Sequence, residues 1–284
     1  LGVFFDQYEN FLAPIMSTVL KKHFDLGGTQ LSLVLASAFL GQFVGALWMG
    51  RLADRIGRQH TFIINLLVYS LASIVCGLAP HASVLILARF VAGIGIGGEY
   101  ALADSYLADI LPSKVRGRYI VWAYTVSFFG VPLSGFLARW LVPLEPLGFD
   151  GWRWMFIIEG LPAVIWAFIW WRIADERPKD AKWLDQAEKA RLEEALKAEQ
   201  QGMKPVKNYA EAFRSPKVIL LSLQYFCWSI GVYGFVIWLP SILRQGAQLD
   251  IVQAGWLSSL PYLAAVLAMV GVSWASDRLQ NRKL

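Results

Sequence analysis

Three glycines in the stretch RFVAGIGIGGEY, residues 89–100, have the G-x-G-x-x-G spacing of a dinucleotide-binding loop. Such a loop needs a strand before it and a soluble helix after it, because it holds a pyrophosphate at the start of that helix. Here the glycines lie inside an apolar block long enough to span a bilayer. We therefore expect Gly93, Gly95 and Gly98 to let neighbouring helices approach closely, as small residues do in membranes.

Arg89, at the start of the same stretch, is the only Lys or Arg clearly inside an apolar block. A guanidinium at mid-span costs at least about 2.5 kcal/mol, so it usually faces a cavity or a partner. Asp6 and Glu9 in FFDQYEN lie three residues apart, on one helical face, and Glu9 is nearer to Arg89 in depth. The alternatives are that Arg89 snorkels to the outer headgroups and that Asp6 is an interfacial residue.

These ionisable residues suggest proton coupling. A poorly hydrated cavity favours the neutral carboxyl and a neighbouring arginine favours the ionised one, so the opening of a cavity can change the protonation state. Glu99, at a depth similar to that of Asp6, can share a proton with it. Asp104 lies about 140° around the helix from Glu99 and is expected to pack against a polar neighbour. The proton-coupling candidates are Glu9, Arg89, Asp6 and Glu99.

The composition indicates a membrane protein. The 284 residues are 56% hydrophobic and include thirteen tryptophans, and the mean hydropathy is +0.47. The apolar residues form blocks of about 20, the length that crosses a hydrocarbon core of about 30 Å. The net charge of +5 is spread between the blocks, which argues against nucleic acid as a partner. The blocks are 1–21, 31–50, 61–79, 84–108, 118–142, 152–173, 217–240 and 251–275.

The links between the blocks predict the domain organisation and the orientation. Twenty of the 26 Lys and Arg lie in or beside the even-numbered links, and five lie in the odd-numbered ones, which places the even links and the N-terminal end in the cytoplasm. We predict a six-span bundle over 1–173, a cytoplasmic linker with an amphipathic helix over 174–216, and a partial second bundle over 217–284. Because Leu1 opens inside a block and Leu284 follows a basic link, we expect a fragment.

Two matching motifs, GRLADRIGRQ at 50–59 and SWASDRLQNRK at 273–283, each follow the second span of their half. Their carboxylates can satisfy the free N–H groups of a helix start while their arginines pair with acids on neighbouring helix ends. Such contacts would hold a cytoplasmic gate shut; the alternative is charge that only sets topology. The gate candidates in the first motif are Asp54, Arg55 and Arg58.

Aromatic and polar residues in the spans could line a substrate pocket, although most such residues in membranes pack or anchor. The serines lack a histidine partner at a shared depth, and the histidines and the two cysteines lack metal-ligand spacing. We therefore expect neither an enzyme nor a metal or other cofactor. The substrate-binding candidates are Arg89, Tyr100, Trp122, Tyr124, Gln224, Tyr225, Trp228 and Tyr233.

Several motifs in order resemble the major facilitator superfamily over essentially the whole chain. They are GRLADRIGRQ after span two, ARFVAGIGIG in span four and LADILPSKVRGR at the end of that span. The resemblance implies an all-α membrane fold of twelve spans, of which this chain would hold about the first eight. It also implies that Glu9 occupies the position of the span-one carboxylate that pairs with Arg89 in proton-coupled sugar porters. By the same resemblance, the gate candidates further include Asp109, Arg116, Arg118, Asp277, Arg278 and Arg282.

Different segments resemble different branches of that superfamily. Spans one and four resemble sugar and metabolite:proton symporters, whereas GWRWMFIIEGLPAV, DERPKDAKWL and YFCWSIGVYGFVIWLPSI resemble anion:cation symporters of sugar acids and other organic anions. The amide positions of sugar porters are occupied by Tyr124, Cys227, Trp228 and Tyr233, so a hexose site built on amides is not expected.

The resemblance implies proton symport of a small organic anion, such as a sugar acid, by alternating access. The alternatives are a transporter of a neutral sugar or other metabolite and a membrane sensor that binds solute without moving it. We expect a monomer in a prokaryotic inner membrane, with the lipid bilayer, protons and a small-molecule substrate as its partners.

Overall fold

A computed structural model describes residues 2–181, 184–201, 211, 213–246 and 251–279. Within these ranges the chain forms eleven α-helices and two short 3-10 turns, at Pro146–Gly148 and Pro178–Asp180. The helices are α1 (Gly2–His23), α2 (Gly28–Ile56), α3 (Arg58–Gly77), α4 (Ala82–Gly97), α5 (Glu99–Ile110), α6 (Ser113–Phe128), α7 (Gly130–Leu141), α8 (Gly151–Ile173), α9 (Gln186–Gln200), α10 (Pro216–Gly246) and α11 (Ile251–Leu279).

The eight predicted blocks each coincide with a helix or a pair of consecutive helices. Six of these units within the described residues are long and apolar enough to cross a membrane, and α4 with α5, and α6 with α7, each count as one unit. The two remaining units, α1 and α11, have membrane length at 22 and 29 residues; α1 is less apolar than the others, and α11 contains the shorter apolar stretch Leu260–Val272. The helices extend past the apolar blocks because backbone hydrogen bonding continues beyond the hydrocarbon core.

The glycines of the 89–100 stretch hold helices together, as expected from the sequence. A Cβ atom on Gly93 would meet the backbone of Ala38 on α2, and one on Gly41 of α2 would meet the backbone of Phe90 on α4. Gly95 approaches the other neighbour, since a Cβ there would lie 2.8 Å from the carbonyl oxygen of Asn65 on α3. The nucleotide-loop alternative is therefore wrong, because helix backbone occupies the space beside Gly93 and Gly95.

The acidic helix α1 lies inside the bundle rather than at its edge. It packs against α2, α6, α7 and α8, and α3 packs against α4 and α8. The residues of α1 from Asp6 to Ala13 are all buried, which lets polar side chains occupy a membrane-length helix without facing lipid. Helix α11 packs on α6 and α7, and α10 packs on α11.

A helix, α9, lies within the predicted linker range. Asp185 precedes it and accepts a 2.8 Å hydrogen bond from the backbone N–H of Glu188, while the Glu188 side chain accepts from the N–H of Asp185. This reciprocal capping box fixes the start of the helix. The division into two bundles joined by this linker stays a prediction.

The glycine contacts predict opposite effects for the same substitution at two sites. Gly135→Ala on α7, where a Cβ meets nothing within 4 Å, should be neutral or stabilise the helix by about 0.5–1 kcal/mol. Gly93→Ala should instead destabilise by about 1–3 kcal/mol, because the new methyl group overlaps the α2 backbone. Thermal unfolding of the detergent-solubilised full-length protein measures both. A Gly93→Ala variant as stable as Gly135→Ala would contradict the packing described.

Candidate functional site

Glu9 and Arg89 form an ion pair in the interior of the bundle. Arg89 on α4 is 1% exposed and Glu9 on α1 is 0% exposed. The Arg89 guanidinium donates through Nη1 to Glu9 Oε1 over 3.1 Å and through Nε to the carbonyl oxygen of Val34 on α2 over 3.1 Å. The snorkelling alternative is wrong, because the guanidinium is enclosed by protein and satisfied there.

A third ionisable group, Glu159 on α8, completes this cluster and was not selected from the sequence. The Ser73 hydroxyl lies 3.2 Å from Glu9 Oε2 and 3.2 Å from Glu159 Oε2, and it can also donate to the carbonyl oxygen of Phe156 over 3.1 Å. A hydroxyl carries one proton, so it can donate to only one of these acceptors at a time. The cluster thus contains two buried carboxyl groups but one arginine, so ionisation of both carboxyl groups would leave a net negative charge.

A signal for Glu159 was present in the sequence. It is an acidic residue in the middle of the apolar block 152–173, and such residues in spans are rare and usually functional. The sequence GWRWMFIIEGLPAV, which contains Glu159, indicates a resemblance to anion:cation symporters. The rule applied to Arg89 would have selected Glu159 as well.

The carboxyl groups of Asp6 and Glu99 also come together, beside this cluster. Both residues are 0% exposed, and their carboxyl groups interact electrostatically. The interfacial alternative for Asp6 is therefore wrong, since its side chain lies within the bundle. Gly2 packs directly against the Glu99 carboxyl group, so the start of α1 covers this pair.

Some of the substrate-binding candidates gather in one place. The rings of Tyr100 and Tyr124 stack with centroids 6.0 Å apart and an interplanar angle of 10°. The Tyr124 hydroxyl donates to Asp104 Oδ2 over 3.0 Å. Asp104 thus has the polar neighbour expected of it, and this tyrosine cluster joins α5 and α6.

The other substrate-binding candidates lie elsewhere. Tyr233 on α10 makes an edge contact with Phe39 of α2, with ring centroids 5.5 Å apart. Trp228 is 52% exposed and stacks on Tyr225, while Gln224 is exposed beside them. Trp122 on α6 is 57% exposed and is not part of the tyrosine cluster. Arg89 contacts none of these aromatic residues, because Glu9 and Val34 surround its guanidinium.

One end of the bundle, here called the arginine-rich end, carries the described gate candidates. Arg58 at the start of α3 forms an ion pair with Asp109 near the end of α5 and donates to the Ser105 carbonyl oxygen over 2.5 Å. Arg116 donates to the carbonyl oxygens of Ala108 and Leu111, over 2.9 Å in each case. These arginines thereby satisfy free groups at the end of α5.

The start of α3 is held by a residue that was not a candidate. Glu176, just after α8, accepts from the backbone N–H groups of Arg58 and Gln59 over 2.8 and 2.9 Å. We expected a carboxylate of the loop motif to fill such a role, but Asp54 and Arg55 are exposed. The preceding Gly57 has φ of +92°, and its Cα lies against the Glu176 carboxylate.

The remaining gate candidates are exposed or have side chains outside the described residues. Arg118 is exposed on α6. Asp277 and Arg278 lie on α11, and their side chains, like the whole of Arg282, fall outside the described part of the structure. Among the described residues, no group of three or more His, Cys, Asp and Glu could hold a metal ion.

The fold and the family are shown by comparison with known proteins. Residues 1–284 match the Major Facilitator Superfamily, and the chain belongs to this family. It forms part of a multi-pass integral membrane protein, and the family membership agrees with the expectation of no enzymatic activity. The fold resembles the proton:xylose symporter XylE bound to 6-bromo-6-deoxy-D-glucose, with a TM-score of 0.79, 17% identity and 97% of this chain covered against 67% of that one.

Two of the relatives that the chain matches are bacterial transporters. The chain is 31% identical to the niacin transporter NiaP of Acinetobacter baylyi, over 99% of this chain and 66% of the relative. It is 30% identical to the gentisate transporter of Corynebacterium glutamicum, over 97% of this chain and 59% of the relative. The chain therefore spans about two thirds or less of the length of these proteins.

The Glu176 contacts predict a local effect of Glu176→Ala. Loss of the carboxylate leaves two N–H groups at the start of α3 without their acceptor, which should cost about 0.5–2 kcal/mol, the usual range for a lost helix cap. Hydrogen–deuterium exchange of the full-length protein should then show faster exchange in the first turn of α3. Glu194→Ala on the exposed face of α9 is the control. Unchanged protection of residues 58–61 in Glu176→Ala would contradict the assignment.

Proposed function

We propose that the full-length protein is a secondary active transporter that couples inward proton movement to uptake of a small aromatic carboxylate by alternating access. The observation that carries the coupling is the enclosed Glu9–Arg89 pair with Glu159 and Ser73 beside it. Charged groups are retained in a membrane interior only where they are paired or lie on a substrate or ion pathway.

The coupling follows from charge balance. While Glu9 is ionised, its charge offsets that of Arg89 across 3.1 Å. Protonation of Glu9 leaves the guanidinium with only neutral acceptors, among them the Val34 carbonyl oxygen. An organic anion that binds near Arg89 would restore neutrality, so proton and anion would bind favourably together. Glu159, joined to Glu9 through Ser73, gives the proton a second carboxyl group to occupy.

An aromatic carboxylate is supported by the relatives and by the residues between the helices. The names of two relatives specify niacin and gentisate, both aromatic acids. In this chain the stacked Tyr100 and Tyr124 offer ring faces. Asp104 accepts from the Tyr124 hydroxyl, and a hydroxyl on the substrate ring could take the place of Tyr124 as the donor. We propose this tyrosine cluster as the place where the ring of the substrate binds.

The sugar-acid, neutral-sugar and sensor alternatives have less support. The curated relatives described above carry aromatic acids in their names, and the similarity to XylE at 17% identity concerns the fold alone. The amide positions of sugar porters hold Tyr124, Cys227, Trp228 and Tyr233 here, which lack the paired donors and acceptors that suit a polyol. We also propose that the arginine-rich end faces the cytoplasm and that the protein lies in a bacterial inner membrane.

Uptake into proteoliposomes of the full-length protein tests the substrate class. With an inward proton gradient, labelled nicotinate and 2,5-dihydroxybenzoate should accumulate, whereas glucuronate and xylose should not. Accumulation of glucuronate alone would favour the sugar-acid alternative, and accumulation of xylose alone would favour a sugar porter. Saturable binding without counterflow exchange would identify a sensor and would contradict transport.

A second measurement tests the coupling residue. Glu9→Gln in the full-length protein should keep counterflow exchange of the aromatic acid but lose proton-driven accumulation, because the amide cannot bind and release a proton. Glu145→Gln, an exposed residue after α7, is the matched control and should behave as the unmodified protein. Accumulation by Glu9→Gln with normal dependence on the proton gradient would show that the coupling assignment is wrong.

A further inference from the structure

Asp6 and Glu99 form a second buried acidic pair that the Glu9–Arg89 pair does not serve. Asp6 lies three residues before Glu9 on α1, about 4.5 Å along the helix axis, and Glu99 is the first residue of α5, directly after the break at Gly98. All four carboxyl oxygens are buried, and none of them has a hydrogen-bond donor among the described residues. Arg89 is engaged by Glu9 and Val34 instead.

No described basic side chain compensates this pair. Apart from the positive charge of the chain's N-terminal amino group, the titratable groups that interact with Asp6 or Glu99 are acidic or phenolic: Glu9 on α1, Tyr69 on α3, Tyr100 on α5 and Tyr233 on α10. Two ionised carboxylates side by side in a buried setting repel each other and lose hydration, so such pairs hold a proton between them. The two carboxyl groups can hydrogen-bond to each other only when at least one of them is protonated.

The surroundings of the pair contain polar groups without partners. The Tyr69 hydroxyl and both polar atoms of the Asn65 side chain are buried on α3 and make no described hydrogen bond, and both residues are 0% exposed. The Asn65 amide nitrogen lies near the backbone of Gly98, which precedes Glu99. Buried donors of this kind are costly unless they serve a ligand or a charge that forms transiently.

Tyr69 lies near both acidic clusters. Its hydroxyl makes no described hydrogen bond, but it interacts electrostatically with Glu99, Asp6, Glu159 and Glu9. A phenol both donates and accepts a hydrogen bond, which is what passage of a proton between two carboxyl groups requires. Asp6 is only four residues from the start of α1, so the second pair lies nearer to the arginine-rich end.

We infer that the Asp6–Glu99 pair is a second proton-binding site, linked to Glu9 and Glu159 through Tyr69, and that two protons accompany each substrate anion. This inference rests on the proposed function and specifies its stoichiometry. Uptake of a monovalent aromatic carboxylate with two protons moves one net positive charge inward, so transport is electrogenic. With a single coupling proton the same uptake would be electroneutral.

The equilibrium accumulation ratio distinguishes the two stoichiometries. In proteoliposomes of the full-length protein with the membrane potential clamped at zero, an inward gradient of one pH unit should accumulate labelled 2,5-dihydroxybenzoate about 100-fold if two protons are coupled and about tenfold if one is coupled. The unmodified protein should reach about 100-fold. A tenfold ratio in the unmodified protein would overturn the second site while leaving the proposed function intact.

Variants assign the second proton to the pair. Asp6→Asn and Glu99→Gln should each lower the ratio to about tenfold and abolish charge movement, because one coupling proton remains. Tyr69→Phe should leave the final ratio unchanged and slow its approach, since a link between sites affects rate rather than equilibrium. Glu145→Gln should match the unmodified protein. Ratios of about 100-fold in both Asp6→Asn and Glu99→Gln would overturn the assignment.

A sodium gradient provides the remaining control. If the pair bound sodium rather than a proton, an inward sodium gradient at equal pH would drive accumulation that Glu99→Gln loses, and the proton assignment would be wrong. Absence of any gradient-driven accumulation of aromatic acids by the unmodified protein would instead refute the proposed function itself.

Discussion

The enclosed ion pair between Glu9 and Arg89 is the constraint on which the rest of the bundle depends. Removal of an ion from water costs several kcal/mol even after relaxation, and only close pairing with further hydrogen bonds offsets that cost. Here the offset comes from the 3.1 Å contact between the two side chains. The Val34 carbonyl oxygen also accepts from Arg89, and the Ser73 hydroxyl can donate to Glu9. Loss of either charge leaves the other uncompensated, which makes the pair sensitive to a proton.

The packing of the helices serves this pair. Gly41 on α2 and Gly93 on α4 let the two backbones touch, and that close approach brings the Val34 carbonyl oxygen of α2 within reach of Arg89 on α4. The contacts of Arg58 and Glu176 at the arginine-rich end join α3, α5 and the segment after α8. These contacts lie within the first six spans, so they fix one end of that bundle while the ionisable groups occupy its middle.

The two acidic pairs differ in what neutralises them. Glu9 has a permanent cation beside it, whereas the carboxyl oxygens of Asp6 and Glu99 have no hydrogen-bond donor among the described residues. Environments that differ in this way separate the protonation behaviour of chemically similar groups. The same helix α1 can therefore carry one carboxyl that responds to Arg89 and another that responds to a second carboxyl.

Hydropathy and the cost of burying charge predicted much of this structure. The apolar blocks located the helices, and the expense of a mid-span guanidinium pointed from Arg89 to Glu9. Glu159 was missed although the same rule applied to it. Glu176 could not have been found, because a polar residue in a charged linker has no distinctive pattern until the fold brings it to the start of α3. The break at Gly98 and the exposure of Asp54 likewise depend on tertiary neighbours.

Accessibility of the ion pair to water from each side of the membrane tests the central claim most directly. Single cysteines in place of Ala13 and Ala92, one turn from Glu9 and Arg89, would be introduced into the full-length protein lacking Cys76 and Cys227. A small membrane-impermeant thiol reagent should label both positions from either side, and an aromatic acid should change the ratio of the two rates. Protection of both positions from both sides, with and without that acid, would contradict alternating access to the pair.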